Sequence, residues 1–176
     1  KAKATGFFYS TKVDGRWWLV DPEGCLFIHQ AVVSVTPLRT AGAQAAFKAK
    51  FGDSTAWATH TTTLLREHGF NGLGAWSDTE PLRAAARPLA YTKIWNFMSS
   101  YGKRRGGTYQ KPGQTGYPND CIFVFDPGFE KFCDEQAQQL AATKDDPWLL
   151  GHFSDNEMPL KRTGLTNYLA LPASDP

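Results

Sequence analysis

Short apolar runs alternate with polar, turn-rich segments along the chain. Residues 7–10 and 16–20 are two such runs, and Asp14-Gly15 between them predicts the tight turn of a β-hairpin. After a second turn, residues 25–35 form a long apolar stretch rich in β-branched side chains. This stretch predicts a strand buried on both faces, as in a parallel sheet.

Helical and strand patterns follow in alternation. The clearest helix is predicted over residues 54–68, with Asp53 or Ser54 as its N-cap and Gly69 as its end. Shorter helices are predicted over 40–52, over 79–87 and from Asp126-Pro127 onward. Further strands are predicted over 70–76, 89–97 and 148–153. This order indicates an α/β fold with a parallel sheet.

One region interrupts the alternation. Residues 98–120 are polar and rich in Gly and Pro, which predicts a long inserted loop. Residues 121–125 then predict either a short strand or a segment leading into the next helix.

The composition narrows the class of protein. With 41% hydrophobic and 20% charged residues, the 176-residue chain is typical of a globular domain with a sizeable core. Aromatic residues at 14% favour a large core or platforms on which sugars stack. A net charge of +2 argues against a nucleic-acid partner, and the sequence shows neither a membrane-spanning run nor a signal peptide. The three cysteines favour buried thiols, with a Cys121–Cys133 disulfide as the alternative.

The chemistry that the chain suggests is concentrated near residue 157. An apolar run, Trp148-Leu149-Leu150, leads into polar residues that include Asn156-Glu157. This pattern is typical of the carboxyl end of a buried barrel strand, where (β/α)8 enzymes place their active sites. Cleavage of a glycosidic bond needs two carboxyl groups, and Glu157 is a candidate for one of them. The alternative is that Asn-Glu only opens a loop.

Three segments carry a family resemblance. Residues 148–157, Trp-Leu-Leu-Gly-His-Phe-Ser-Asp-Asn-Glu, resemble the fourth-strand motif of clan A glycoside hydrolases, most of all exo-acting β-agarases and β-galactosidase-like enzymes. Residues 14–24 and 69–78 are similar to the initial hairpin and the second-strand segment of that group. The resemblance implies a hairpin over residues 1–24, followed over 25–176 by the N-terminal half of a (β/α)8 TIM barrel.

The resemblance also implies roles. Glu157 would be the general acid/base of a retaining hydrolase, and Asn156 would contact the sugar. The substrate would be a β-linked, galactose-containing polysaccharide such as agarose. The nucleophile of the clan is a second Glu at the end of the seventh strand, so none is assigned in this chain. We expect no metal or other cofactor, and an extracellular or periplasmic location.

Other candidate substrate-binding residues stand near the ends of the predicted strands. Trp76 and Asp78 end the second strand, and Trp95 and Asn96 end the third. Core packing is the alternative for the two tryptophans, and helix capping is the alternative for Asp78. His152, on the fourth strand, is expected to contact the residues that bind the sugar rather than the sugar itself.

The resemblance covers only half a barrel, because a (β/α)8 barrel takes about 250 residues. The chain is therefore expected to be a fragment that is inactive alone, with the rest of the barrel as its partner. A second half in another chain, or closure by two copies, is the alternative. A non-catalytic carbohydrate-binding or scaffold protein is the alternative function. A sugar-phosphate or nucleotide enzyme is disfavoured, because no Gly-rich loop begins a helix.

Overall fold

The computed structural model describes residues 1–37, 39–105 and 121–175. The chain divides into two compact units. Unit 1 comprises Lys1–Lys93 and Asp145–His152, and unit 2 comprises Ile94–Lys144 and Phe153–Pro176. The predicted division of the chain after Gly24 stays a prediction.

Unit 1 begins with an antiparallel sheet of three strands. Strands β1 (Tyr9–Val13) and β2 (Arg16–Val20) pair along their whole lengths, and β3 (Leu26–Phe27) pairs with the end of β2. Asp14 and Gly15 turn the chain with φ angles of 50° and 77°. These are the left-handed conformations that a two-residue hairpin turn requires, so the predicted hairpin is confirmed.

The second sheet has four strands in the order β4-β5-β6-β7. Their bounds are Ala31–Val32, Gly72–Leu73, Ala90–Ile94 and Leu149–Phe153. Gly72 pairs in parallel with both Ala31 and Ala90. Helices lie in the connections between these strands, and the predicted fold class, four parallel strands preceded by a β-hairpin, is confirmed.

Three helices of unit 1 connect its strands: α1 (Ala41–Phe51), α2 (Ser54–Glu67) and α3 (Thr79–Arg83). Helix α2 begins where its sequence predicts, because the Asp53 carboxylate accepts a hydrogen bond of 2.8 Å from the Ala56 amide. It ends before Gly69, which has a φ of 82°. It contributes Trp57 and Ala58 to a core that also contains Leu73, Leu82, Leu89 and Tyr91.

The prediction of one doubly buried strand over residues 25–35 is wrong. The stretch contains two strands of two residues each, in two different sheets, and Ile28 is 61% exposed. Between them the Asn71 side chain takes the place of a neighbouring strand. It donates to the Ile28 carbonyl and accepts from the Gln30 amide, both at 2.8 Å. A side chain from 41 residues away therefore ends the strand, which apolar content alone could not predict.

Unit 2 is largely helical. It contains α4 (Phe97–Arg105), α5 (Pro127–Ala137), a 3-10 helix (Gln138–Thr143) and α6 (Thr163–Leu169). The predicted start of α5 is confirmed, because Asp126 accepts a hydrogen bond of 3.0 Å from the Gly128 amide. The core of unit 2 consists of Met98, Tyr101, Cys121, Phe123 and Phe132.

Helix α4 occupies the beginning of the segment that was predicted to be a loop. The prediction is wrong for residues 98–105, while residues 106–120 lie outside the described residues. Met98 and Tyr101, one side of this polar helix, are buried in the unit 2 core. Residues 121–125 form no strand, although Cys121 and Phe123 are fully buried. Tertiary packing overrides the local propensity here.

A buried ionic network ties α4 to α5 and to residue 175. The Arg105 Nε lies 2.7 Å from Asp126 Oδ2, and its Nη1 binds Asp175. The Tyr101 hydroxyl donates to Asp126 at 2.6 Å. Burial raises the pKa of Tyr101 to about 12, and the hydrogen bond to Asp126 acts in the same direction. Burial alone would raise the pKa of Asp126, but hydrogen bonds from Tyr101, Gly128 and Arg105 lower it.

All three cysteines are free thiols, and only Cys121 is fully buried. The alternative disulfide between Cys121 and Cys133 is therefore wrong. Within the described ranges, no helix is both long enough and apolar enough to cross a membrane.

Candidate active site

Strained backbone marks the ends of the parallel strands. Apart from Asp14 in the hairpin turn, four described residues other than glycine have a positive φ: Ser34, Trp76, Asn96 and Glu157, at 56°, 61°, 55° and 49°. Each follows one strand of the second sheet, β4 to β7 in order. Left-handed φ costs an L-residue about 1–2 kcal/mol, and such strain collects at functional sites. The strain points to the strand ends at which the sequence places its candidates.

In unit 2 the chain beyond β6 is hydrogen-bonded to the chain at the end of β7. The Trp95 amide donates to the Phe153 carbonyl at 3.0 Å, and the Phe97 amide donates to the Ser154 carbonyl at 2.9 Å. The backbone that leads to Asn156-Glu157 is thereby held against the first residue of α4. Backbone hydrogen bonds thus join the segment that contains Trp95 and Asn96 to the segment that leads to Asn156 and Glu157.

Asp155 extends this attachment with its side chain. Its carboxylate accepts from the Met98 amide at 3.0 and 3.2 Å and from the Ser99 amide at 3.4 Å. The remaining amide of the first turn, that of Ser100, binds the Asn96 carbonyl at 2.9 Å. Asn96 precedes α4 but has a left-handed backbone, whereas an N-cap residue ordinarily has an extended one. The side chain that caps α4 is instead that of Asp155, more than 50 residues away in sequence.

The candidate catalytic pair follows directly after this cap. Asn156 is half-buried and Glu157 is exposed. The Glu157 side chain is therefore reachable from solvent, as a group that exchanges protons with substrate and water must be. Local sequence propensity would not place Glu157 in a left-handed conformation, since glutamate rarely adopts one.

The charge of Asp155 also affects the pKa of a neighbouring thiol, that of Cys133. Burial raises the pKa of Cys133, on α5, and the negative charges of Asp134 and Asp155 raise it further. Cys133 therefore lies within the electrostatic reach of the Asp155 carboxylate. Its ionisation can report on the charge at residue 155.

Three of the predicted substrate-binding residues belong to unit 1. Trp76 is 50% exposed despite its strained φ, so core packing does not explain its conformation. Asp78 occupies the N-cap position of α3, but its side chain makes no capping hydrogen bond. Its backbone amide binds the Val35 carbonyl at 2.9 Å instead. Burial, and then the positive charge of Lys93, lower the pKa of His152 and favour its neutral ring.

The structure thus brings Trp95, Asn96, Asn156 and Glu157 onto the linked strand ends of unit 2. Their roles in catalysis and binding stay predictions. Sequence alone does not reveal Asp155 as a capping residue, because the amides that it binds are more than 50 positions away. Within the described part of the chain, no group of three or more His, Cys, Asp or Glu side chains is arranged to hold a metal ion.

Parallel strands joined through helices, with polar and strained residues after the strands, place the chain in the α/β class of folds. Known proteins narrow this class. The curated β-agarase B of Vibrio sp. (strain JT0107) is 24% identical over an alignment 225 positions long, which covers 90% of this chain and 22% of that protein. No family model matches the chain.

Solved structures have the same fold. BpGH50 superposes with a TM-score of 0.75 at 25% identity, over 98% of this chain and 39% of that one. The agarase AgWH50C gives a TM-score of 0.63 at 20% identity, over 89% and 30% of the two chains. An exo-β-agarase gives 0.61 at 18% identity, over 97% and 34%. The resemblance to exo-β-agarase-like glycoside hydrolases is confirmed, and the chain spans less than two fifths of the length of each of these proteins.

Proposed function

We propose that the protein containing this chain is a retaining glycoside hydrolase that acts on a β-linked, galactose-containing polysaccharide such as agarose. The observation that carries the proposal is Glu157. It is an exposed carboxyl group in a strained conformation beyond the end of β7, on a segment held to the neighbouring strand end by Ser154 and Asp155. The similarity to β-agarase B supports the choice of substrate.

The proposed chemistry has two steps. Glu157 protonates the oxygen of the leaving sugar while a second carboxylate, about 5 Å away, attacks the anomeric carbon. Glu157 then removes a proton from water, which hydrolyses the covalent intermediate. Asn156 donates a hydrogen bond to the neighbouring sugar hydroxyl. The nucleophile is assigned to no residue of this chain, and the remainder of the barrel is its proposed source.

Substrate binding is assigned to the residues that follow the strands. In unit 2, Trp95 and Asn96 are proposed to contact the sugar beside the catalytic pair. In unit 1, the half-exposed ring of Trp76 offers a face on which a pyranose can stack, and Asp78 offers a carboxylate that caps no helix. His152, with its neutral ring favoured, is proposed to support this binding. A polymeric substrate favours an extracellular or periplasmic location.

The test is Glu157→Gln in the natural full-length polypeptide, assayed on agarose. General acid/base catalysis contributes about 10²–10⁴-fold, so turnover should fall by that factor. The loss should be smaller on an aryl glycoside with a good leaving group, because its departure needs little protonation. Glu130→Gln, which removes an exposed carboxylate from α5, is the matched control and should keep full activity.

Several outcomes would change the proposal. Unreduced turnover in Glu157→Gln would remove Glu157 from the mechanism. Sugar binding by a full-length wild-type protein that hydrolyses nothing would support the carbohydrate-binding alternative. The 176-residue chain alone is expected to show negligible hydrolysis, because its nucleophile is lacking. Activity of that pure chain would contradict the assignment of the nucleophile to another part of the polypeptide.

A further inference from the structure

We propose that Asp155 is a positioning residue, which holds Glu157 in its catalytic place by capping helix α4. The inference rests on the proposed function, because it concerns the same carboxyl group. Asp155 is assigned no contact with the substrate. Its role is to fix the backbone two residues before Glu157.

The amides at the start of α4 all have hydrogen-bond acceptors. The first four amides of an α-helix have no partner within the helix. In α4, the first is bound by the Ser154 carbonyl and the next two by the Asp155 carboxylate. Two consecutive residues beyond β7 therefore satisfy three of the four donors. Loss of the Asp155 carboxylate would leave two amides of a partly buried helix start without their acceptor.

The backbone of Glu157 is strained. A glutamate with a φ of 49° stays in that conformation only where its surroundings hold it. The segment before it is held by the Ser154 carbonyl and the Asp155 carboxylate. Without the side-chain anchor, residues 155–157 can relax toward ordinary φ values. The Glu157 carboxyl group would then move away from the glycosidic oxygen that it protonates.

A displacement of about 1 Å in a reacting group can lower a rate by about 10²-fold. Sugar-binding contacts on other strand ends would not change. We therefore expect Asp155→Ala to lower kcat by about 10- to 100-fold with a smaller change in KM, because Asn156 is the only proposed sugar contact within residues 155–157. Asp155→Asn keeps an oxygen acceptor for the Met98 amide and should recover most of this loss.

The experiment compares these two variants in the natural full-length polypeptide, with Asp53→Ala as the matched control. Asp53 caps α2 in unit 1 through a hydrogen bond of 2.8 Å to the Ala56 amide, so its loss removes the same kind of interaction elsewhere. Asp53→Ala should lower thermal stability and leave kcat unchanged. Both limbs of the pH–rate profile should persist in Asp155→Asn, because a positioning residue donates no proton to the substrate.

A second readout does not depend on hydrolysis. Hydrogen exchange of the Met98 and Ser99 amides, and of peptides spanning residues 154–157, should become faster in Asp155→Ala and remain slow in Asp53→Ala. If Asp155→Ala does not fold, Asp155→Asn carries the comparison through its kcat and its exchange rates. A correctly folded Asp155→Ala with wild-type exchange at both places would overturn the proposal, and so would an Asp155→Asn that loses as much kcat as Glu157→Gln while its exchange stays slow.

Glu157→Gln, assayed in parallel, separates the two proposals. An inactive Glu157→Gln together with an Asp155→Ala as active as Asp53→Ala would overturn the role of Asp155 and leave the proposed function standing. A fully active Glu157→Gln would overturn the proposed function, and with it the role of Asp155 in catalysis. An inactive Glu157→Gln with low kcat in Asp155→Ala and recovery in Asp155→Asn supports both.

Discussion

Replacing Arg105 by Met tests whether the ionic network organises unit 2. The Arg105 side chain is 6% exposed, and its partners Asp126 and Asp175 are 14% and 3% exposed. Methionine keeps much of the side-chain length and removes the charge. The two carboxylates would then remain in the interior without their shared cation.

The expected loss of stability is large. At 2.7 Å, and with an effective dielectric constant of about 20, the Arg105–Asp126 attraction is about 6 kcal/mol before desolvation is subtracted. Desolvation offsets most of this in the intact pair. Removing one partner leaves an uncompensated buried charge, which typically costs about 3–5 kcal/mol. We expect Arg105→Met to destabilise unit 2 by that amount.

Urea unfolding of the purified protein at neutral pH measures the effect, with Arg104→Met as the control. Arg104 lies beside Arg105 on α4 and pairs with Glu135, but both side chains are 40% exposed or more. Exposed pairs contribute about 0–1 kcal/mol, so this variant should unfold almost as the wild type does. Equal effects of the two substitutions would refute the reasoning.

The pH dependence has a definite sign. The pKa of Asp126 is lowered in the folded protein, so its contribution to stability is present above its unfolded value of about 3.9 and is lost as pH falls through the folded value. Without Arg105 that contribution shrinks. The difference in stability between wild type and Arg105→Met should therefore narrow below about pH 4. A difference that stays constant there would contradict the assignment of the network.

The remaining predictions concern other contacts. A Cβ atom at Gly72 would lie 2.0 Å from His29 Nε2, so Gly72→Ala should cost about 1–3 kcal/mol in urea unfolding, and less in a His29→Ala background. Tyr101 should ionise with a pKa of about 12 in a spectrophotometric titration. Its contribution to stability should be fully present below its unfolded pKa of about 10 and should be lost as pH rises through the folded pKa of about 12. Ionisation of Tyr101 near the ordinary value of about 10 would contradict this prediction. Asp155→Asn should lower the pKa of Cys133 and speed its alkylation at mildly alkaline pH, whereas an unchanged rate would place the two groups farther apart.

Much of the fold could be predicted wherever the signal is local. Asp14-Gly15 specifies its turn because both residues tolerate a positive φ, and the helices after Asp53 and Asp126 begin where an Asp side chain can reach an amide two or three residues on. The alternation of apolar strands with helices gave the fold class. These predictions depend on interactions between neighbours in the chain.

Two predictions were wrong where distant residues decide. Apolar content predicted one long strand over residues 25–35, but the Asn71 side chain binds backbone between Ile28 and Gln30 and divides it. Polarity predicted a loop after Phe97, but residues near the end of β7 cap a helix there. In each case a hydrogen bond to a residue more than 40 positions away outweighs the local preference.

The sequence by itself determined the hairpin, the order of strands and helices, and the motif that contains Asn156-Glu157. Only the tertiary structure decided how that motif is held. Backbone strain at Glu157 and the capping of α4 by Asp155 both arise from the contact between two strand ends. The physical reason is that local propensities act over a few residues, whereas the placement of a catalytic group depends on hydrogen bonds that form only once distant segments pack together.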